Sequence, residues 1–513
     1  MGRLSAFLLI IVLICGLFGC GNEKSPYIPT GDGLQQAVTT RPTTPPSAQK
    51  DLTLAYYPDR SMNPFDCTDY VNRTFVDLLY QGLFTVDANY RVSPVLCKNY
   101  RVSRDMMTYI FYLEDARFSD GSALTCADAA ASLNYAKTSA FYAGRFGNLK
   151  AVTVTEDGGV QLQLTTPYEN LPLLLDVPIV KADQVKQERP LGTGPFFYES
   201  YEGKTWLRRS QSWWCQAAFP ISTDYIALRE AVSSSQLRDE FELSDLGMVV
   251  ADPGSVTYAD FHSSSEELWS YESGVFLYLA CNAKSSVFSH SAIRQALTYA
   301  IDRSGLCAQY YRGFAIPTVL PVSPNNPLYQ SGLAAKVTYD PQRLTQSVTA
   351  AQLENTSVVL LVNANDGIRL RVARSIAAKL NECGLKVTTS ELQGTAYTNA
   401  LKNGKFDLHL GQTKLSANGD LSAFFATKGA LNYGGLGDPL KYNLCMDALA
   451  NAGNFYTLYQ QILNDGQLCP LLMRSYAVYS KRGVMSALEP SRDHVFYYDL
   501  GRTMEQALLP ENK

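Results

Sequence analysis

Residues 358–389 read VVLLVNANDGIRLRVARSIAAKLNECGLKVTT, and this stretch decides the fold class. Val358 to Val362 is an unbroken apolar run of the length and β-branched character of a buried strand. Ile368, Val372, Ile376 and Leu380 then recur at helical spacing, and Gly384 is placed to cap that helix. Leu385 to Thr389 returns to strand character. Strand, helix and strand in one short span form a βαβ unit, whose two strands are expected to be parallel with a right-handed crossover. Upstream, Ile293, Ala296, Leu297, Ala300 and Ile301 make one apolar helical face. The first half of the chain differs. Asp51 to Tyr57 alternates as a strand, and Arg73 to Gly82 has helical spacing through Phe75, Leu78 and Leu79. Thr108 to Leu113 is a strand of aromatic and β-branched residues. Thr125 and Asp128 resemble a capping box opening a helix over Ala127 to Ala136. Val152 to Thr155 and Val160 to Thr165 flank Asp157-Gly158-Gly159, a hairpin signal. The body therefore reads as mixed α/β, hairpin-rich first and βαβ-containing later.

The chain has 513 residues, too many for one ordinary core, which suggests two or three lobes. A net charge of -4 argues against a nucleic-acid partner, since phosphate binding needs clustered Lys and Arg. Its 32 Tyr against 4 Trp suit ligand clefts, although Tyr is also a common strand residue. Nine of the 11 Cys lie beyond Cys20, with no CxxC pair and no Cys/His cluster. One or two disulfides and free buried thiols both remain open. The four His, His262, His290, His409 and His494, show no ligand spacing, so no metal site is expected. No GxSxG, HExxH or P-loop occurs, so neither an enzyme nor a cofactor is expected.

At the N-terminus Arg3 precedes the apolar run Phe7 to Leu13, which is too short to span a bilayer and reads as a signal peptide over 1–19. Gly16-Leu17-Phe18-Gly19-Cys20 resembles the bacterial lipobox, in which the cysteine thiol receives a diacylglycerol. Residues 20–50, rich in Thr, Pro, Ser and Gly, then read as a flexible spacer. The expectation is a body tethered to a membrane through Cys20, on the outer face of a Gram-positive cell or on the periplasmic side.

Several landmarks occur in a telling order. Ser61-Met62-Asn63-Pro64 precedes Leu79-Tyr80-Gln81-Gly82-Leu83. Phe118-Ser119-Asp120-Gly121 leads to Leu124-Thr125-Cys126-Ala127-Asp128. Gly192-Thr193-Gly194-Pro195-Phe196, Arg209 to Trp214, and Ile293-Arg294-Gln295-Ala296-Leu297 through Ala300-Ile301-Asp302-Arg303 follow. In this order the chain resembles the extracellular solute-binding proteins, family 5, of peptide and nickel ABC importers, from about Leu52 over nearly all the body. The resemblance implies a bilobal, periplasmic-binding-protein-like fold of class II, the large three-subdomain type, closing by a hinge on its ligand. Lobe I would comprise 51–84, 186–284 and 481–513, with an extra subdomain at 85–185. Lobe II would be 285–480. It further implies a monomeric receptor that captures short peptides and delivers them to a permease and ATPase complex. The alternatives are a receptor for an oligosaccharide or metal chelate, and a surface sensor without transport.

By position in that family, ligand contacts fall on Thr68, Asp69 and Tyr70 in one segment and Gln412 and Lys414 in another, with Trp213 and Asp420 added. Peptide-binding members carry a Trp in the second segment and, just beyond, an Asp that pairs with the peptide's α-amine. Here those positions hold Thr413 or Lys414, and Ser416 or Ala417. Asp69 or Asp420 could supply the carboxylate from another direction; alternatively, Lys414 would favour a ligand carboxylate. Gly192 and Gly194 are expected to supply unusual backbone angles at a crossover between lobes. Arg294 and Asp302 are expected to be structural.

Overall fold

Two strands carry the architecture. Glu266–Cys281 and Leu468–Lys481, of 16 and 14 residues, pair antiparallel along most of their length and run through both lobes. They were identified in a computed structural model that describes residues 52–201, 203–221, 223–258, 261, 266–485, 488–496 and 506–509. The leader, Cys20, the spacer, Asp51 and His262 lie outside these residues.

Around the long pair a seven-stranded sheet runs in the order Met248–Ala251, Leu468–Lys481, Glu266–Cys281, Leu408–Lys414, Ser357–Asn363, Lys386–Leu392, with Ala315–Pro317 added alongside Leu468–Lys481. The parallel strand pairing expected of the βαβ unit is present. Ser357–Asn363 and Lys386–Leu392 pair parallel, joined by the helix Gly367–Glu382, which Asp366 caps by accepting from the Arg369 N–H. Gly384 closes the helix at φ +96°, a conformation that residues with a Cβ resist. Ile368, Val372, Ile376 and Leu380 are buried against the sheet.

The other lobe holds two smaller sheets. One has the order Thr53–Tyr56, Tyr225–Glu230, Lys204–Arg209, Phe196–Tyr201. The second has the order Gln506–Leu508, Cys97–Val102, Thr108–Leu113, Val160–Leu164, Leu149–Val154. The helix Cys126–Ala136 packs on this sheet, and its capping box is complete: the Thr125 hydroxyl accepts from Asp128 N–H, and the Asp128 carboxylate accepts from Thr125 N–H at 2.9 Å.

The long strands lose register between Glu272 and Phe276. Glu266 to Glu272 pairs with Ser475 to Lys481 on one side of the break, and Val275 to Cys281 pairs with Leu408 to Lys414 on the other. At the break Gly274 sits at φ +72°, and the Ser273 hydroxyl donates to the Arg474 carbonyl at 2.8 Å. A bulge of this kind bends and twists a strand pair, which makes it the point where the pair turns most readily, a hinge.

Gly192 and Gly194 have a different basis from the one expected. Neither has a positive φ. A Cβ on Gly194 would lie 2.5 Å from the Leu79 carbonyl carbon, and one on Gly192 would strike the Leu79 carbonyl oxygen. Close approach of two backbones requires the glycines. All nine described cysteines are free thiols, eight of them buried. Among the described residues no helix is long and apolar enough to cross a membrane.

Candidate functional site

The chain beyond the hinge strands returns between the lobes as a four-residue turn. Ser491 and His494 exchange backbone hydrogen bonds of 2.8 and 3.2 Å, which puts Arg492 and Asp493 at the apex. The turn is anchored on both sides. The Ser491 hydroxyl donates to the Val86 carbonyl at 2.9 Å. His494 lies between two carboxylates, with Nδ1 2.5 Å from Asp77 and Nε2 3.0 Å from Asp176. Both ring nitrogens must then donate, so the imidazole is held as the cation. Although burial opposes this, the Asp77 and Asp176 carboxylates raise its pKa to about 10.

At the apex the Asp493 carboxylate meets three cations from three parts of the chain. Arg145 Nη2 lies 2.6 Å away, Arg492 Nε is at 3.3 Å, and Lys414 Nζ makes a close ion pair. Arg145 also pairs closely with Asp176. Burial raises the Asp493 pKa, but the surrounding cations outweigh it and hold the carboxyl well below the ordinary carboxylate range. Lys414 ends the strand Leu408–Lys414 in the opposite lobe, so its pair with Asp493 crosses the cleft. Burial, reinforced by Arg492 and Arg145, pulls the Lys414 ammonium down to about 8 against the opposing pull of Asp493. Arg492 fastens the lobes a second time, since its guanidinium donates to the Leu415 carbonyl and packs on Gly274 at the hinge. Phe141 lies between Arg73, 3.4 Å from the ring centroid, and Lys414, at 4.3 Å. Among the described residues this cluster sets five cations (Arg73, Arg145, Lys414, Arg492, His494) against four carboxylates (Asp77, Asp176, Asp493 and the buried Glu272 near Arg492).

Beside the hinge a cavity of about 560 Å³ opens, within the range of small-ligand sites. Tyr90, Trp269, Glu272, Ser475 and Arg492 are among its walls. Glu272 is buried and accepts from the Tyr90 hydroxyl at 3.0 Å and from the Ser323 hydroxyl. The rings of Tyr70, Tyr476 and Tyr271 pack in series, the first pair tilted at 5.2 Å between centroids and the second edge-to-face at 5.8 Å. Arg474 reaches from the hinge strand to Gln412 at 3.1 Å and to Asp252 at 2.5 Å.

Of the positions inferred from sequence, Tyr70, Gln412 and Lys414 thus come to the junction of the lobes. Thr68 is exposed. Asp69 spends its carboxylate on the Val71 and Asn72 N–H groups, at 2.9 and 3.1 Å, and on Arg60. Asp420 is engaged by the Tyr168 hydroxyl and by the N–H of Ser422, the first residue of the short helix Ser422–Phe425. Trp213 is a core residue rather than a cleft residue: its indole is buried and donates to the Thr193 carbonyl at 3.0 Å. Position in the chain could not show which way these side chains turn. His409 is a buried ring whose Nε2 meets the Tyr397 hydroxyl at 2.7 Å, and burial lowers its pKa to about 3. Arg294 is structural, holding Asp465 and the Phe288 carbonyl. Asp302 caps the helix Arg303–Tyr311.

The model of the bacterial extracellular solute-binding proteins, family 5, matches residues 91–432. The chain belongs to this family. Its members are extracytoplasmic solute-binding components of ABC importers, and the homologues found are solute-binding proteins rather than enzymes. The glutathione-binding protein GsiB of Salmonella typhi is 24% identical over 371 residues, covering 69% of this chain and 71% of that relative. GsiB of Pectobacterium atrosepticum is 25% identical over 377 residues, with 70% and 72% covered. Among solved structures, the substrate-binding protein CtaP of Listeria monocytogenes superposes with a TM-score of 0.71 at 17% identity, covering 87% of this chain and 98% of that one. AppA of Bacillus subtilis, in complex with a nonapeptide, gives 0.62 at 19% identity, with 88% and 97% covered. These likenesses establish the α/β bilobal solute-binding fold. Family membership gives the hinge and the charged turn a setting, because a receptor that closes on its cargo needs a flexible crossover and contacts that join the lobes only when closed.

Proposed function

We propose that this protein is a membrane-anchored receptor that captures short peptides between its lobes and delivers them to a permease and ATPase complex. The observation that carries this reading is the junction itself, where the strand end Gln412–Lys414 meets Arg474 and the buried charges around Asp493 beside a glycine hinge. An extended peptide laid along such a strand end would make main-chain hydrogen bonds that tolerate varied side chains. Asp69 and Asp420 are engaged within the protein, and Lys414 is held by the Asp493 carboxylate, so the group that the junction offers to Lys414 is already a carboxylate. Recognition is therefore weighted toward the carboxylate end of the ligand. Relatives named for glutathione and structures holding a nonapeptide support a peptide-like cargo. The anchor at Cys20 would keep a monomeric receptor beside its permease at high effective concentration.

One experiment tests both halves. The full chain is expressed in a bacterium and fractionated, and the small molecules carried by the purified protein are extracted for mass spectrometry. Wild type is expected in the membrane fraction carrying short peptides, and Cys20→Ala in the soluble fraction or unprocessed. A Cys20→Ala protein still processed and membrane-bound would overturn the anchor. Glycans or metal chelates in place of peptides would overturn the cargo.

A further inference from the structure

Asp493 is a carboxylate of the protein's own chain placed where the two lobes meet, on three cations that no single segment supplies. Its side chain is 3% exposed, whereas that of Lys414 is 31% exposed, so the lysine is the more accessible partner of the pair. The backbone of the turn does not depend on this pair, because Ser491 is tied to Val86 and His494 to Asp77 and Asp176. Asp77 also accepts from Val495 N–H at 2.9 Å. The Asp493 side chain can therefore leave Lys414 while the turn stays in place, keeping its bond to Arg145. Counting Glu272, the cluster holds five cations against four carboxylates, so one further anion is accommodated electrostatically. Arg492, which touches Asp493 and the hinge glycine, also walls the cavity of about 560 Å³.

We propose that Asp493 is a built-in stand-in for a ligand carboxylate: it fastens Lys414 across the closed cleft, and a carboxylate-bearing ligand takes Lys414 by displacing it. This rests on the solute-capture reading and names the ligand group that the site selects. Lys414 is then the specificity residue, and Asp493 sets the threshold that a ligand must exceed. A neutral or purely cationic ligand has nothing to offer Lys414 and leaves the pair closed. Since the exchanged groups are both carboxylates, Lys414 keeps an anionic partner and the lobes can shut again over cargo.

The test has two arms, each on the full chain in detergent, with circular dichroism as the folding control. In the first, small-angle scattering without ligand compares wild type, Asp493→Asn and Lys414→Met. Both variants are expected to show a larger radius of gyration than wild type; values equal to wild type would overturn the stand-in. In the second, calorimetry compares trialanine with its C-terminal amide. Wild type is expected to bind the acid about tenfold more tightly, one charge contact being worth about 1.4 kcal/mol. Lys414→Met should abolish the preference, and Asp493→Asn should bind the acid about tenfold more tightly than wild type. Equal binding of acid and amide by wild type would overturn the carboxylate selection. If neither peptide binds any form, the peptide reading fails, and the stand-in is decided by the scattering alone.

Discussion

Replacing His494 with alanine is expected to lower the free energy of unfolding by about 3–5 kcal/mol, because it removes the cation from between two buried carboxylates. Asp77 and Asp176 contact the ring at 2.5 and 3.0 Å, and the His494 side chain is only 12% exposed. Equilibrium denaturation in urea measures the loss, and a change under about 1 kcal/mol would show that the pair is not held as drawn. The same ring makes stability depend on pH. Its folded pKa of about 10 lies above the 6.5 of a free histidine, so its contribution is complete below about 6.5. That contribution is lost as pH rises from there through about 10, because the folded state gives up a proton that the unfolded state has already released. His494→Ala should flatten this part of the stability profile as well as lower it.

The second large effect is expected at Arg303, in the other lobe. Its guanidinium is buried and donates to the carbonyls of Pro470 and Thr298 at 2.8 Å, Thr318 at 3.1 Å and Ile301 at 3.4 Å. No carboxylate is among these partners, and burial lowers its pKa. Arg303→Met keeps much of the aliphatic volume but deprives several buried carbonyls of their donor, at about 1–3 kcal/mol for each left unpaired. A total near 3–5 kcal/mol is expected in urea denaturation, with the helix Arg303–Tyr311 and the hinge strand near Pro470 exchanging amide hydrogens faster. Unchanged exchange at Pro470's neighbours would mean that Arg303 does not tie the helix to the hinge strand.

These two residues also mark the limit of what could be read from sequence. Arg303 belongs to a motif whose architectural role was legible, since Ile293 to Ile301 forms an apolar face and Asp302 is a cap by type and place. The βαβ unit and the Thr125 capping box were legible for the same reason: local periodicity and short-range side-chain chemistry determine them. The charged junction was not. Its members lie at 73, 77, 145, 176, 414 and 492–494, and only the fold brings them together. His494 looked like a lone histidine because its two carboxylates are more than 300 residues away. Lys414 was singled out because a local pattern broke there, whereas its partner carried no pattern at all. Trp213 and Asp420 were placed by order along the chain, which cannot distinguish a side chain facing the cleft from one turned into the core or onto a helix start.

The central claim is that a peptide-like solute binds between the lobes. Thermal unfolding of the purified protein in the presence of di- to pentapeptides, glycans and nickel–histidine chelates tests it most directly. Binding to the folded state alone adds about 2.7 kcal/mol at a ligand concentration of 100 Kd. The account predicts that peptides with a free carboxylate raise the unfolding temperature and that glycans and chelates leave it unchanged. A rise with glycans or chelates and none with any peptide would contradict it.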